Sequence, residues 1–218
     1  DIEKSIEFLR KKGIAKASKK MSRTASEGLV LVHEENGNIS ILEINSETDF
    51  VAKNEDFISF CKEVAEINFI QKGDLEKTNN SDMKNKSKVK DNLIDLIAKI
   101  GEKITLRRSA FFSKDNGSNY HYVHGSIVKN VGKIISIVKL DKVSSDTGTK
   151  LAMHIAASNP LSIDQTSLKK ELLDKELEII KAELLNSGKK PDMIDKISKG
   201  KLNKFISDNT LINQAWIM

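Results

Sequence analysis

Gly28-Leu29-Val30-Leu31-Val32-His33-Glu34-Glu35-Asn36-Gly37-Asn38-Ile39-Ser40-Ile41-Leu42-Glu43-Ile44 places two apolar runs on either side of an Asn-Gly pair. Asn and Gly tolerate the positive φ that a tight two-residue turn demands, so the stretch predicts a β-hairpin. The period then changes. Phe57, Phe60, Cys61, Val64 and Ile67 recur at helical spacing up to about Ile70, and Asn54 stands before them as a residue able to cap a helix. Strand, strand and helix thus form the first unit, joined by Asn45-Ser46-Glu47-Thr48-Asp49-Phe50-Val51-Ala52-Lys53-Asn54.

Working downstream, Lys72 to Ser87 is polar and reads as a mobile surface excursion. Val89, Leu93, Leu96, Ile97 and Ile100 define a second helix, which Gly101 ends. Lys103 to Phe112, Tyr120 to Val128 and Lys133 to Leu140 have strand composition, with a turn at Asn116-Gly117. Asp146 is placed to cap a helix through Leu151, Met153, His154 and Ile155, which must stop before Pro160. Val32-His33 followed by Gly37 to Ile41 and a helix is echoed by Val123-His124 followed by Gly132 to Ile137 and a helix. Either two related strand-strand-helix units exist or common strand residues coincide. Beyond Pro160, Leu172, Leu173, Leu177, Ile180 and Leu184 lie along one side of a charged helix. Asn186-Ser187-Gly188 breaks it, and Pro191 opens another carrying Met193, Ile194, Ile197, Leu202 and Phe205, so the pair predicts an antiparallel helical hairpin. Upstream, Ile2, Ile6 and Leu9 give a short amphipathic helix that Gly13 should terminate, followed by a lysine- and alanine-rich connection.

With 218 residues and 39% hydrophobic content, the chain can bury a substantial core. No apolar run approaches the roughly 20 residues of a membrane-spanning helix, and the N-terminus lacks the pattern of a secretion signal. A net charge of +5 invites a nucleic-acid reading. Only Arg10, Arg23, Arg107 and Arg108 are arginine, however, and the lysines are interleaved with Asp and Glu as on an ordinary solvated surface. The single Cys61 cannot form an internal disulfide and sits at an apolar helix position, as a buried thiol would, with a reactive thiol as the alternative.

Catalytic and metal sites require convergent polar groups. His121 and His124 are three apart on a strand and so face opposite sides, and His33 reads as a strand-end residue. There is no phosphate-binding Gly-x-x-x-x-Gly-Lys-[Ser/Thr] loop and no Gly-x-Gly-x-x-Gly after a strand, so the chain is not expected to hold a nucleotide itself. Asp146-Thr147-Gly148 has the letters of an aspartic-protease loop but lacks the apolar strand that would deliver the carboxylate. One feature of the connection after the hairpin is left. Phe50 is a large apolar residue in a polar loop, which either folds back as a staple beneath the following helix or stands out with Asp49 as a tip for a partner's pocket.

Glu47-Thr48-Asp49-Phe50-Val51-Ala52-Lys53-Asn54 resembles the Thr-Asp-Phe-Val-Ala-Lys tip of the elongation factor Ts family. The resemblance extends over essentially the whole chain, through Leu9-Arg10-Lys11-Lys12-Gly13, Ala25-Ser26-Glu27-Gly28-Leu29, Leu106-Arg107-Arg108, Tyr122-Val123-His124-Gly125, Met153-His154-Ile155-Ala156-Ala157-Ser158 and Gly200-Lys201-Leu202-Asn203-Lys204-Phe205. It implies a guanine-nucleotide exchange factor that performs no covalent chemistry, uses no cofactor or metal, and binds elongation factor Tu rather than nucleic acid or membrane. Thr48, Asp49, Phe50 and Val51 would form the exchange tip, with Phe50 entering an apolar crevice of the partner's GTPase domain and Asp49 acting near its magnesium. Ile134, Ile135 and His154 would touch the partner elsewhere, and Ile135 replaces the glycine usual in the family at that place. The implied fold is α+β, with two related strand-strand-helix subdomains of antiparallel sheet, a protruding helical hairpin and the remnant of a small N-terminal helical domain. The divisions expected are 1–24 for that remnant, 25–102 and 103–165 for the two core subdomains, 166–207 for the hairpin and 208–218 for a truncated C-terminal segment. A trimmed piece of a longer protein is expected, acting in a bacterial-type cytoplasm or, alternatively, an organellar matrix, with any self-association open.

Overall fold

A computed structural model describes residues 2–142 and 144–217, with the side chains of residues 2, 3, 5–7, 9, 10 and 192 outside that description. The apolar stripe expected on Ile2, Ile6 and Leu9 falls among those side chains. The protein is α+β, with two small antiparallel sheets and seven α-helices among the described residues. It divides into two compact units, residues 1–149 and 150–218.

In the first unit, β1 (Glu27–Glu35) and β2 (Asn38–Ser46) form the expected hairpin. Asn36 and Gly37 take φ of 53° and 78°, which matches the right-handed twist of the strands and fixes the register from Glu35↔Asn38 down to Glu27↔Ser46. That register puts Leu29, Leu31, Leu42 and Ile44 on one buried face. Helix α2 (Glu55–Ile70) covers this face with Phe57, Phe60, Cys61, Val64 and Ala65, and α4 (Val89–Ile100) adds Val89, Leu96 and Ile97. Cys61 is fully buried, and the apolar surroundings push its thiol pKa up, so the buried-thiol expectation holds.

Strand β3 (Thr105–Phe112) pairs with β2, and the short β5 (Val131–Gly132) pairs with the other edge of the hairpin, giving the order β3-β2-β1-β5. A register shift between Glu43 and Ile44 leaves Arg107 unpaired in the ladder. Arg107 and Arg108 consequently both reach the Glu43 carboxylate. Strands β4 (Ser118–His124) and β6 (Ile134–Leu140) make the second sheet, and α5 (Ser145–Ser158) follows, so both units of the sequence echo are strand-strand-helix. The predicted strand from Tyr120 to Val128 ends early, at His124, because the chain leaves the second sheet to place Gly132 opposite Val30 of β1. A Cβ on Gly132 would meet Val123 Cγ1 at 2.6 Å, so only glycine fits this crossing.

Three local expectations need correction. Gly13 does not end the first helix: α1 runs Ile2–Ser18, and the buried Gly13 lies inside it against Ala98 of α4. The polar stretch from Lys72 to Ser87 is not irregular throughout. Asp74 caps a short helix α3 (Leu75–Asn80), and buried Thr78 bonds the buried Asn68 side chain of α2 while Met83 enters the core. Asp146 is not a cap but lies in the first turn of α5, where a negative charge complements the helix dipole; the Ser144 carbonyl accepts the first bond, from Gly148 N–H.

The second unit contains the antiparallel pair α6 (Lys170–Asn186) and α7 (Pro191–Asn209), with Pro191 in the first turn of α7 as expected. Ile180, Leu184 and Ile194 form its small core, flanked by Ile197 and Leu202, and Lys181–Asp195 and Lys201–Glu183 bridge the helices on the surface. Ser162 and Thr210 pair in an isolated parallel bridge that ties the segment before α6 to the chain after α7.

Candidate functional site

The connection between β2 and α2 is built from anchored ends and an exposed middle. Ser46, the last residue of β2, is buried, and its hydroxyl donates to the Thr48 carbonyl at 3.0 Å. Glu47 accepts from the Lys103 backbone N–H at 2.6 Å and from Arg23 Nη1 at 3.2 Å. Thr48 donates twice to one carboxylate, its N–H to Glu102 Oε2 at 2.9 Å and its hydroxyl to Glu102 Oε1 at 2.7 Å.

On the far side, Val51 and Ala52 open a single turn of 3-10 helix, Val51–Lys53, and are buried in the core. The Phe50 carbonyl accepts from Lys53 N–H and the Val51 carbonyl from Asn54 N–H, while Asn54 Oδ1 accepts from Phe57 N–H at 3.1 Å as the cap of α2. The hydrogen bonds and burial therefore fix both flanks. Between them only Asp49 and Phe50 project. Phe50 is 76% exposed, so it is not the staple beneath α2 that the polar loop alone allowed. Leaving a phenylalanine in water forgoes about 1.5–3 kcal/mol of burial, so an exposed, rigidly flanked aromatic reads as a contact residue. Asp49 makes a 3.7 Å ion pair with Lys53, a surface contact worth little to stability.

The other expected partner residues are distributed unevenly. Val51 belongs to the core rather than to the projecting surface, and anchors the chain next to Phe50. Ile134, at the start of β6, is 46% exposed, whereas Ile135, on the alternate face of the strand, is half-buried. Ile135 lines a groove of about 360 Å³ with Val30, Ile41, Leu42, Glu43, Arg108, Ser109 and Ala110, on the sheet face away from α2. His154 is placed differently from Ile134. It is 1% exposed, its Nε2 lies 3.2 Å from Gln214 Oε1, and its ring stacks on Trp216 with centroids 5.1 Å apart and planes at 19°. The chain after α7, through Gln214 and Trp216, thus encloses the ring.

Glu102, Lys103 and Arg23 support the tip, and sequence reading missed all three. Thr48 and Glu102 are 54 residues apart, and no local pattern links them. His121 pairs with Glu34 at 3.2 Å, His124 contacts the Tyr122 hydroxyl, and His33 packs on Phe69. No group of three His, Cys, Asp or Glu side chains is arranged to hold a metal among the described residues.

Two glutamates, Glu43 and Glu47, have pKa values below the ordinary glutamate value of 4.5. For Glu47 the main cause is the Lys103 N–H, with Arg23 adding to it; for Glu43 burial pushes upward but is outweighed by the bonds from Arg107 and Arg108. A lowered carboxyl pKa adds stability above 4.5 and loses it as pH falls through the lowered value. Unfolding free energy measured by urea titration should therefore be level with respect to these groups near neutrality and fall below pH 4.5, and Glu47→Gln should flatten part of that fall. An unchanged acid slope in the variant would show that Glu47 is not held this way.

The family described as "Elongation factor TS" matches residues 47–218, from the first anchored residue of the loop to the end of the chain. The protein named Elongation factor Ts of Clostridium acetobutylicum is 41% identical over 228 residues, covering all of this chain and 72% of its own length. The Elongation factor Ts proteins of Xanthobacter autotrophicus and Pediococcus pentosaceus are each 40% identical, again over the whole chain, and are covered to 72% and 73% of their lengths.

Proposed function

The chain belongs to the elongation factor Ts family, and from that premise we propose that it binds elongation factor Tu carrying GDP and promotes GDP release, so that GTP can bind in the next round of translation elongation. The observation that carries this reading is the tip: Phe50 is 76% exposed between rigid flanks, with the Asp49 carboxylate beside it. An aromatic so presented is shaped to enter a partner's apolar crevice. No bond is made or broken in the process, so the protein acts as a binding catalyst and not as an enzyme of covalent chemistry.

The energetic logic is linkage. A protein that weakens GDP binding must itself be bound more weakly when GDP is present, by the same factor. Burying Phe50 supplies about 1.5–3 kcal/mol, and each tenfold acceleration needs about 1.4 kcal/mol off the barrier. Phe50 alone accounts for roughly one to two powers of ten on that scale. Asp49, which would disturb the charges around the partner's magnesium, is the second contributor in this reading, and Ile134 extends the contact surface. Neither nucleic acid nor a membrane is needed, and the proposed setting is the cytoplasm of a bacterial-type cell; no helix among the described residues is long and apolar enough to cross a membrane.

The test is release of a fluorescent GDP analogue from preloaded elongation factor Tu, with excess unlabelled nucleotide, on addition of the chain. Release should accelerate in proportion to the amount added. A rate that stays at the spontaneous value would sink the proposal. Steep, salt-sensitive binding to RNA in its place would favour a basic nucleic-acid module.

A further inference from the structure

We propose that Glu102 is a positioning residue for the exchange tip: its carboxylate takes both Thr48 donors and thereby sets the direction of Asp49 and Phe50 before any partner arrives. The inference rests on the exchange reading above but concerns a residue outside the tip. Gly101 caps α4 in the left-handed conformation, with φ of 86°, and so turns the chain out of the helix and places Glu102 beside the loop. Its two oxygens then engage Thr48 N–H at 2.9 Å and the Thr48 hydroxyl at 2.7 Å. Two bonds from one residue to one carboxylate fix orientation as well as distance.

Two further observations separate this from an ordinary surface contact. Glu102 makes no salt bridge among the described residues, so the bonds found for its carboxylate there are both spent on Thr48. The arrangement is also reciprocal. Glu47 accepts from the N–H of Lys103, the residue after Glu102, just as Glu102 accepts from the N–H of Thr48, the residue after Glu47. Each dipeptide thus closes on the other, in the manner of a capping box made between distant segments. Thr48 is the last anchored residue before the exposed pair, so freedom at Thr48 passes directly into Phe50. A tip ordered in advance spares the complex the entropy of ordering it, and a misplaced one loses rate out of proportion to the contact removed.

The experiment combines kinetics with hydrogen exchange on the full chain. Glu102→Ala should slow catalysed GDP release about tenfold. In a Phe50→Ala background the same change should cost less than about twofold, because residues acting through one contact are not additive. Equal losses in the two backgrounds would mean that Glu102 serves the fold at large, and the assignment would be wrong. Independently of any partner, the amides of Thr48 and its neighbours should exchange at least about tenfold faster in Glu102→Ala while α2 keeps its protection. Unchanged protection at Thr48 overturns the proposal even where the tip reading survives. Normal exchange by Phe50→Ala, with Thr48 deprotected in Glu102→Ala, overturns the tip reading and leaves the positioning role standing. Thr48→Val, which deletes only the hydroxyl donor, provides a milder second variant and should deprotect the same amides.

Discussion

Converting Asp49 and Phe50 together to alanine is expected to slow GDP release catalysed by this chain roughly 30- to 1000-fold, the range that follows from losing a contact worth about 2–4 kcal/mol, while leaving thermal unfolding nearly unchanged. The second half of that expectation comes from the structure. Phe50 is 76% exposed and Asp49 makes only a surface ion pair with Lys53, so neither side chain supports the fold, and surface changes of this kind stay within about 0.5 kcal/mol. The flanks are held by other groups, namely Glu47, Thr48, Val51 and Asn54, and these remain in the variant. Phe50→Ala alone should account for about 10- to 100-fold, from the burial it removes, and Asp49→Ala for most of the remainder. Wild-type release rates in the double variant, measured with the fluorescent nucleotide, would end the assignment of the tip.

How far this site could be read from the sequence depends on the range over which its parts interact. The hairpin was legible because its determinants are local: Asn36-Gly37 dictates the turn, and the turn dictates the register. The cap at Asn54 and the apolar stripe of α2 are legible for the same reason. Gly13 misled because a glycine lowers helix propensity without always stopping a helix, and the helix it packs on, at Ala98, is 85 positions away in sequence. The pairing of β3 with β2, and of β5 with β1, likewise rests on contacts across the chain that no window of residues displays.

For the site itself, composition placed Phe50 in a loop without deciding its direction, and family resemblance supplied the outward orientation that its exposure matches. The same resemblance was less informative for Val51 and His154, whose residue types fit a contact surface and a core equally well. Their burial follows from particular neighbours: β1 and α2 against the 3-10 turn that carries Val51, and Gln214 and Trp216 around His154. Glu102 left no signal at all. A glutamate after a helix-ending glycine has the look of a solvated charge until Thr48 is brought to within 2.9 Å of it.

The strongest contrast with the tip lies seven residues downstream. Phe57→Ala should lower the unfolding free energy by about 3–5 kcal/mol, the usual cost of emptying a phenylalanine site in a packed core. Phe57 is fully buried, in the first turn of α2 against the hairpin face formed by Leu29, Leu31, Leu42 and Ile44. Its removal leaves a cavity where helix and sheet meet, and a domain of marginal stability, about 5–15 kcal/mol in all, loses a large share of what it has. In urea the midpoint should fall with little change in slope, which marks lost stability and not a changed unfolded state. The two phenylalanines thus make opposite predictions from one residue type: Phe50 governs exchange without affecting stability, and Phe57 governs stability. Its effect on exchange should scale only with the fraction of molecules folded, because its backbone N–H, which survives the substitution, is what holds the Asn54 cap at the base of the tip. A wild-type urea midpoint for Phe57→Ala, together with a lowered one for Phe50→Ala, would reverse the assignment and return Phe50 to the core as a staple beneath α2.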